Sequence, residues 1–360
     1  MIIKIDEAYQ SINHIVVALK KGGVIAIPTD TVYGLAVDGT NEHAVKRLVG
    51  FKQRKNKPFS FFMPKSVVGK HVVISKRRIV DFFMPGPLTA IMKKRAGVSL
   101  PLVEDKVGIR IPQHDFVIRL LSTYRTPLAV TSANISGEPT LTSPYDIIEH
   151  FTEVSLVVDG GMLYSTPSTV VDLATTPPLV MRKGLIPILQ IEKVYGRKVM
   201  LKESLKFNVL FVCSGNTCRS PMAEGIFKTL VGRKNCEVQS AGTIAMGGLT
   251  AAGYAQQVVK EYGGSIDRHQ TKSLNRELVD WADLILVMEY KHYETVLEIN
   301  PDAVVKTFLL REYKRKTKYN EVPDPVGRDL AAYQLAVNKM LPALRQVAKD
   351  IADRYSKGHR

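Results

Sequence analysis

Cysteine is scarce in this chain of 360 residues: Cys213, Cys218 and Cys236 are the whole supply, and none precedes position 213. That scarcity excludes a disulfide framework and any site of four thiolates, and no pair of His at ligand spacing stands near the first two. Also missing is an apolar run of the roughly 20 residues that a membrane-spanning helix needs. The stretch Met1–Glu7 lacks the basic, apolar and small-residue succession of a secretory leader, so a reducing cytoplasm is the expected setting. No internal repeat or low-complexity segment is visible. Acidic side chains are the minority, 34 against 50 Lys and Arg, for a net charge of +16. Residues 1–200 carry 26 basic and 16 acidic side chains and residues 201–360 carry 24 and 18, so the excess is shared as +10 and +6. Such an excess suits phosphate-bearing substrates or a polyanion such as RNA, although a solvated lysine surface gives the same count.

What is present begins with length. A chain of 360 residues is long for one core, and two domains are expected; a hydrophobic content of 45% is ordinary for globular proteins. The second half is organised around the stretch from Val209 to Glu224. Phe207–Val212 reads as a buried strand, and Ser220-Pro221 as helix N-cap and first helical residue. The loop between them, from Cys213 to Arg219, aims backbone N–H groups and a helix N-terminus at one spot, which makes an anion site. The same field should lower the pKa of Cys213 and hold it as thiolate, while Arg219 can grip two phosphoryl oxygens as a planar fork. Two other readings, buried core cysteines and half a metal site, account for fewer of these residues. The pattern is that of a cysteine-based phosphatase. Further on, Glu237–Thr243 reads as strand and turn, Ala282–Met288 as a buried strand, and Leu330–Ile351 as a helix that Pro342 should kink or divide.

The first half shows a helix over Ser11–Lys21 stopped by two glycines, then a strand at Val24–Ile27. That strand runs into Pro28-Thr-Asp-Thr-Val-Tyr-Gly34, a turn rich in hydroxyls. Lys52 and Arg54 are two cations that extended backbone would point the same way. Met84–Thr89 is turn material, Val107–Pro112 a strand with an outward Arg110, and Leu128–Asn134 a strand ending in Ser132 and Asn134. Ser168–Asp172 and Arg182–Gly184 complete the set. Polar groups at the ends of apolar strands are how α/β proteins build ligand sites.

Taken in order, Pro28–Gly34, Lys52-x-Arg54, Ser132-x-Asn134 and Ser168–Val170 resemble the YrdC-like threonylcarbamoyl-AMP synthase family over residues 5–190. The resemblance implies a twisted α/β domain with a basic cavity, which condenses L-threonine, bicarbonate and ATP to threonylcarbamoyl-adenylate and pyrophosphate. That product serves threonylcarbamoyladenosine formation in tRNA, with tRNA or a transferase as a possible partner. Lys52, Arg54, Ser132 and Asn134 match the family's tetrad around nucleotide and carbamoyl group. Thr31 and Tyr33 fall where threonine and the cavity wall should be; Arg110, Ser168 and Arg182 match positions near the nucleotide phosphates. Magnesium is expected with the ATP, held mainly by phosphate oxygens. Met84 replaces an aromatic residue frequent in the family. Carbamoyl transfer in hydrogenase maturation would bring cysteine-rich motifs absent here. A non-catalytic RNA-binding module is the alternative from another class.

The Cys213-x5-Arg219-Ser220 loop, Ser240–Thr243 and the later Asp324-Pro325 resemble the low-molecular-weight protein-tyrosine-phosphatase family over residues 207–355. The resemblance makes Cys213 the nucleophile, Arg219 the phosphate clamp, Ser220 a thiolate stabiliser and Asn216 the holder of the loop's shape. Asp324 becomes the general acid and base, a role worth roughly 100- to 10,000-fold. Thr217 resembles the protein-arginine-phosphatase branch, and Val326 stands where an aromatic ring commonly sandwiches phosphotyrosine. Both favour phosphoarginine over phosphotyrosine on a protein substrate. Arsenate reduction would need later cysteines, and none follows Cys236. Cys213 and Cys218 are candidates for a protective disulfide under oxidation. The basic stretch Arg311–Lys318 reads as a solvated loop that could select acidic partners.

The expected fold is therefore α/β in two domains. A YrdC-like domain covers 1–196, a linker 197–206, and a phosphatase domain with a parallel sheet flanked by helices 207–360.

Overall fold

The computed structural model describes residues 1–51, 59–135, 137–232, 235–313 and 320–355. The chain divides into two compact units, one of Met1–Ile186 with Val194–Val199 and one of Pro187–Lys193 with Met200–Arg360.

The first unit is built on a mixed sheet. Across it run Ile2–Lys4, Leu156–Asp159, Ile25–Ile27, Gly34–Asp38, Leu128–Ser132, Ser60–Phe62, Lys106–Arg110, Leu88–Lys94, Thr169–Asp172 and Leu179–Arg182. The helical spacing near the start forms the helix Ile12–Lys20, whose buried Ile12, Ile15 and Leu19 meet Phe116 and Leu120 of the helix Asp115–Tyr124 over the sheet. Gly34 pairs with Ser132 in antiparallel register, and a Cβ on Gly34 would lie 2.8 Å from Val130 Cγ1. That close pairing sets the hydroxyl-rich turn beside Ser132. Arg110, expected to point outward, is buried at 5% exposure. Its strand is flanked on both sides by Ser60–Phe62 and Leu88–Lys94, and its charge is met inside by Asp30.

The second unit carries four parallel strands in the order Cys236–Gly242, Phe207–Cys213, Leu284–Val287 and Thr307–Leu309. Every residue of Phe207–Cys213 is buried, as a continuous apolar run in a parallel sheet should be. Leu210, Val212, Ile285 and Val287 pack with Val279 and Val296 on one face. Phe211 meets Phe227 of the helix Arg219–Val231 edge to face at 5.4 Å. The last helix, Leu330–Ala352, passes Pro342 without division. An interior proline costs about 3 kcal/mol, and the fully buried Met340 and Leu344 beside it, at about 1.5–3 kcal/mol each, offset that.

Between Pro187 and Val199 the chain alternates between the units, Pro187–Lys193 grouping with the second and Val194–Val199 with the first. Helix Ile188–Tyr195 places Glu192 against Arg354, a residue 1% exposed near the end of the last helix. Arg354 Nε and Nη2 donate to Glu192 Oε1 and Oε2 at 3.0 and 2.7 Å, and its guanidinium lies 4.7 Å from the Phe207 ring centroid. Leu201 N donates to Arg354 O, and Tyr355 Oη to Leu205 O at 2.8 Å, so Leu201 and Leu205, within the stretch expected as a linker, are tied to residues just past the last helix.

Candidate functional site

In the second unit the strand Phe207–Cys213 delivers Cys213 to the carboxyl end of the sheet, facing the start of the helix Arg219–Val231. The helix begins two residues earlier than expected, with Cys218 as N-cap and no side-chain cap bond. Ser220, read as the cap, is used elsewhere: its Oγ lies 2.9 Å from Cys213 Sγ and accepts from Asn216 Nδ2 at 2.9 Å. Asn216 is fully buried at φ +55°, in the left-handed region that Asn tolerates better than most residues. It spans the loop's surroundings, donating to Ser240 Oγ at 2.9 Å and accepting from Lys272 N at 3.0 Å, while Ser240 Oγ donates to Glu224. Gly242 allows the loop to approach: a Cβ there would lie 2.4 Å from Ser214 O.

Arg219 is 2% exposed. Its Nη2 donates to Asp324 Oδ2 at 2.5 Å and its Nη1 to Val322 O at 3.1 Å and to Glu289. Burial would raise the Glu289 carboxyl, but Lys291 and Arg219 hold it below its ordinary value. His292, fully buried, accepts from Glu289 N at its Nδ1 and sits 2.8 Å from Ser214 Oγ through Nε2, and burial pushes it down to about 4. It is therefore a neutral brace between the loop and the carboxylate.

The expectation of a lowered Cys213 thiol is overturned in this arrangement. Burial pushes it up, against the opposing pull of Ser220, Arg219 and Asn216. The physical reason is desolvation of the fully buried thiol, which outweighs the loop's hydrogen bonds and the Arg219 charge. Thr217 is half-buried with Oγ1 3.5 Å from Cys218 Sγ, and its carbonyl accepts from Ala252 N. Cys218 Sγ also lies 3.4 Å from the Tyr333 hydroxyl. Val326 is exposed. A cavity of ≈ 700 Å³ opens beside Asp324, lined also by Glu289, Tyr290 and Glu321. Cys213, Arg219, Ser220, Asn216 and Asp324 are thus brought together; Glu289 and His292 are residues the sequence did not single out, and Tyr333, read only as part of the last helix's apolar spacing, reaches Cys218. Glu289 had a readable signal: it follows the strand Leu284–Val287, which is parallel to Phe207–Cys213 and ends on the same side.

In the first unit a smaller cavity of ≈ 100 Å³ gathers Thr29, Tyr33, Arg110, Ser132, Ser168 and Arg182. Arg182 donates to Ser168 O and Oγ at 2.9 and 3.0 Å, and Ser168 Oγ lies 2.9 Å from Thr89 Oγ1. The Tyr33 hydroxyl donates to Gly161 O and accepts from Gly160 N, and burial pushes it up to about 12. Thr31 is buried behind the wall, 3.1 Å from Thr29 Oγ1, and does not line the cavity. Asn134 accepts from Ser132 Oγ at 2.6 Å. Lys52 and Arg54 lie outside the described residues. Asp30, paired with Arg110, is a further residue the sequence did not single out.

Comparison with known proteins follows the same division. Residues 17–184 match the Sua5/YciO/YrdC family model, described as telomere recombination, and residues 208–357 match that of low molecular weight phosphotyrosine protein phosphatase. The chain is 35% identical over 187 residues to the threonylcarbamoyl-AMP synthase of Pyrococcus abyssi, with 49% of this chain aligned, and it spans about half (55%) of that protein's length. It is 32% identical over 206 residues to the enzyme of that name from Mus musculus, covering 49% of this chain and 74% of the mouse protein. With the protein-arginine-phosphatase of Geobacillus stearothermophilus it shares 35% identity over 149 residues, 41% of this chain and 97% of that one.

Proposed function

Because the chain belongs to the Sua5/YciO/YrdC family over its first unit and to the low molecular weight phosphatase family over its second, we propose that it is a bifunctional enzyme. Its first unit makes threonylcarbamoyl-AMP and pyrophosphate from L-threonine, bicarbonate and ATP, for threonylcarbamoyladenosine formation in tRNA. Its second unit hydrolyses phosphoarginine on protein through a phosphocysteine.

The phosphatase reading is carried by one observation: Cys213 Sγ, the Ser220 hydroxyl and the Arg219–Asp324 pair converge at a helix start. Cys213 Sγ attacks phosphorus, and the bond to the leaving nitrogen breaks as Asp324 supplies its proton. Arg219 and the loop amides carry the charge on the equatorial oxygens. Water then gives a proton to Asp324 as it attacks phosphorus, and the S–P bond breaks to release phosphate and regenerate the thiolate. The cationic leaving group of phosphoarginine suits a mouth where Glu289, Glu321 and Asp324 line one cavity. Exposed Val326 offers no ring to sandwich phosphotyrosine.

In the first unit Arg110, Arg182 and Ser168 line a cavity fit to hold phosphate oxygens, where charge developing on departing pyrophosphate would be met; Lys52 and Arg54 join them in this reading by the family resemblance alone. Threonine would lie against Tyr33, with Ser132 and Asn134 near the carbamoyl group. Magnesium would enter on the nucleotide, held by phosphate oxygens; among the described residues no three of His, Cys, Asp and Glu gather as a metal cage. A cytoplasmic setting fits these substrates. Among the described residues no helix is long and apolar enough to cross a membrane.

The test compares kcat/KM for a phosphoarginine and a phosphotyrosine peptide in wild type and Thr217→Ile, with Cys213→Ser as blank, beside pyrophosphate release with ATP, bicarbonate and L-threonine. Phosphoarginine should be preferred and Thr217→Ile should reverse the order. Pyrophosphate release should require all three substrates. Phosphotyrosine preferred in both proteins would reduce the second unit to a tyrosine phosphatase, and threonine-independent release would remove the synthase reading.

A further inference from the structure

A chain of hydrogen bonds runs from Cys213 to the surface of the second unit. Ser220 Oγ lies 2.9 Å from Cys213 Sγ, and Asn216 Nδ2 donates to Ser220 Oγ and to Ser240 Oγ, each at 2.9 Å. Ser240 Oγ donates to Glu224 Oε2 at 2.5 Å. Asn216, Ser220 and Ser240 are fully buried. The Glu224 side chain is 13% exposed, and its other oxygen accepts from Lys228 Nζ. Counting protons fixes the direction of each bond. Lys272 N donates to Asn216 Oδ1 at 3.0 Å, so the amide turns its nitrogen, with two protons, toward the two serines. Each hydroxyl brings one proton of its own. Ser240 gives its proton to Glu224. Ser220, with Asn216 on its oxygen, keeps its proton for Cys213 Sγ or for Ala241 O, which is farther off at 3.4 Å.

We propose that Glu224 is a positioning residue for the phosphatase reaction: it accepts the Ser240 proton, thereby fixes the Asn216 amide, and so aims the Ser220 hydroxyl at the Cys213 thiolate. The inference rests on the phosphocysteine reading of this unit and deepens it. Among the described residues Glu224 is the one acceptor that Ser240 Oγ meets. Without it a fully buried hydroxyl proton is stranded, which costs free energy. Turning the Asn216 amide over relieves that cost, because Oδ1 then accepts from Ser240 in place of Lys272 N. In that arrangement Oδ1 also draws the Ser220 proton, and the thiolate loses its donor. Charge acts in the opposite sense. Glu224 is an anion, so its field disfavours a thiolate and its removal alone favours one. Among the described residues Arg219 is the charge that acts on Cys213, and it also binds Glu289 and Asp324. Lys228 faces Glu224, and His269 bonds Asn216 O through Nε2.

The experiment follows iodoacetamide alkylation of Cys213 across pH in the full chain, by mass spectrometry of the peptide that carries it, beside phosphopeptide kcat/KM over the same range. Glu224→Leu removes acceptor and charge together. Glu224→Gln with Lys228→Ala removes the charge but leaves an amide oxygen free to accept from Ser240. On the acid side of the titration Glu224→Leu should alkylate roughly tenfold more slowly, the loss expected for one hydrogen bond to a charged group. Its rate and its kcat/KM should recover at high pH, where the thiolate forms without help. The Glu224→Gln, Lys228→Ala variant should match wild type or exceed it. Faster alkylation of Glu224→Leu at low pH would leave Glu224 acting by charge alone and overturn the proposal. So would an unchanged rate, an equal loss at every pH, or a glutamine variant as slow as the leucine one. Should Glu224→Leu not fold, Glu224→Met, unbranched and only a weak acceptor, is read by the same outcomes. Alkylation needs no phosphopeptide. The expected pattern in a protein that hydrolyses no phosphopeptide would keep the Glu224 inference for the thiol and overturn the phosphatase reading.

Discussion

Arg219 illustrates how one side chain's partners set another's chemistry. The guanidinium is the charge best placed to favour a Cys213 thiolate, yet Glu289 and Asp324 both hold it, and burial leaves the thiol raised. Replacing Glu289 by Gln removes one of those anions. The positive charge then acts more fully on Cys213, the thiolate is favoured, and its titration moves to lower pH. The pH midpoint of iodoacetamide alkylation at Cys213 should therefore fall in Glu289→Gln; a midpoint that stays or rises would show that Arg219 does not govern the thiol. Pairings of this kind explain why part of the site was illegible in the sequence. Cys213, Arg219 and Ser220 lie within one loop and its helix, so spacing alone placed them together. Arg219 meets Glu289 across 70 positions and Arg110 meets Asp30 across 80, distances at which a sequence carries no pairing signal. The outward Arg110 was misread for that reason: a charged residue in an apolar strand faces water by default unless a hidden partner exists.

At the scale of elements, continuous apolar runs and helical spacing were legible because burial dictates them: Phe207–Cys213, Leu284–Val287 and Ile12–Lys20 formed nearly as expected. Membership of Pro187–Lys193 in the second unit was not legible. The apolar spacing of the helix Ile188–Tyr195 fits either unit, and what assigns that stretch is Glu192 closing on Arg354 across 162 positions. A phosphatase fragment beginning at residue 207 leaves Arg354 buried without that partner, and breaking such a pair costs about 3–5 kcal/mol. A fragment beginning at residue 187 keeps it. Chemical denaturation should show the longer fragment more stable by about that amount, equivalent to roughly 6–20 °C in Tm for a unit of this size. Replacing Arg354 by Met in the shorter fragment should recover part of the loss, since an apolar side chain needs no partner there. Equal stability of the two fragments would make the helix a passenger.

For the whole molecule, the question is whether two chemistries on one chain are separable. Each unit has its own sheet, its own buried cluster and its own buried arginine at a cavity or loop, Arg110 in one and Arg219 in the other. Nothing in the phosphocysteine route needs ATP or threonine, and nothing in adenylate formation needs a thiol. Lys52→Ala should therefore abolish ATP- and threonine-dependent pyrophosphate release, because losing a fixed cation against a departing pyrophosphate removes charge stabilisation of the order of 100- to 1,000-fold. Phosphopeptide hydrolysis in that variant should stay within about twofold of wild type. Cys213→Ser should do the reverse, since serine at neutral pH lacks the thiolate's nucleophilicity. The discriminating measurement is both activities on both variants in one buffer, with the shared excess of positive charge screened equally by salt. Loss of both activities in either variant would mean that the sites depend on one another. Retained pyrophosphate release in Lys52→Ala would take Lys52 out of the reaction and leave Arg110 and Arg182 to carry the leaving group.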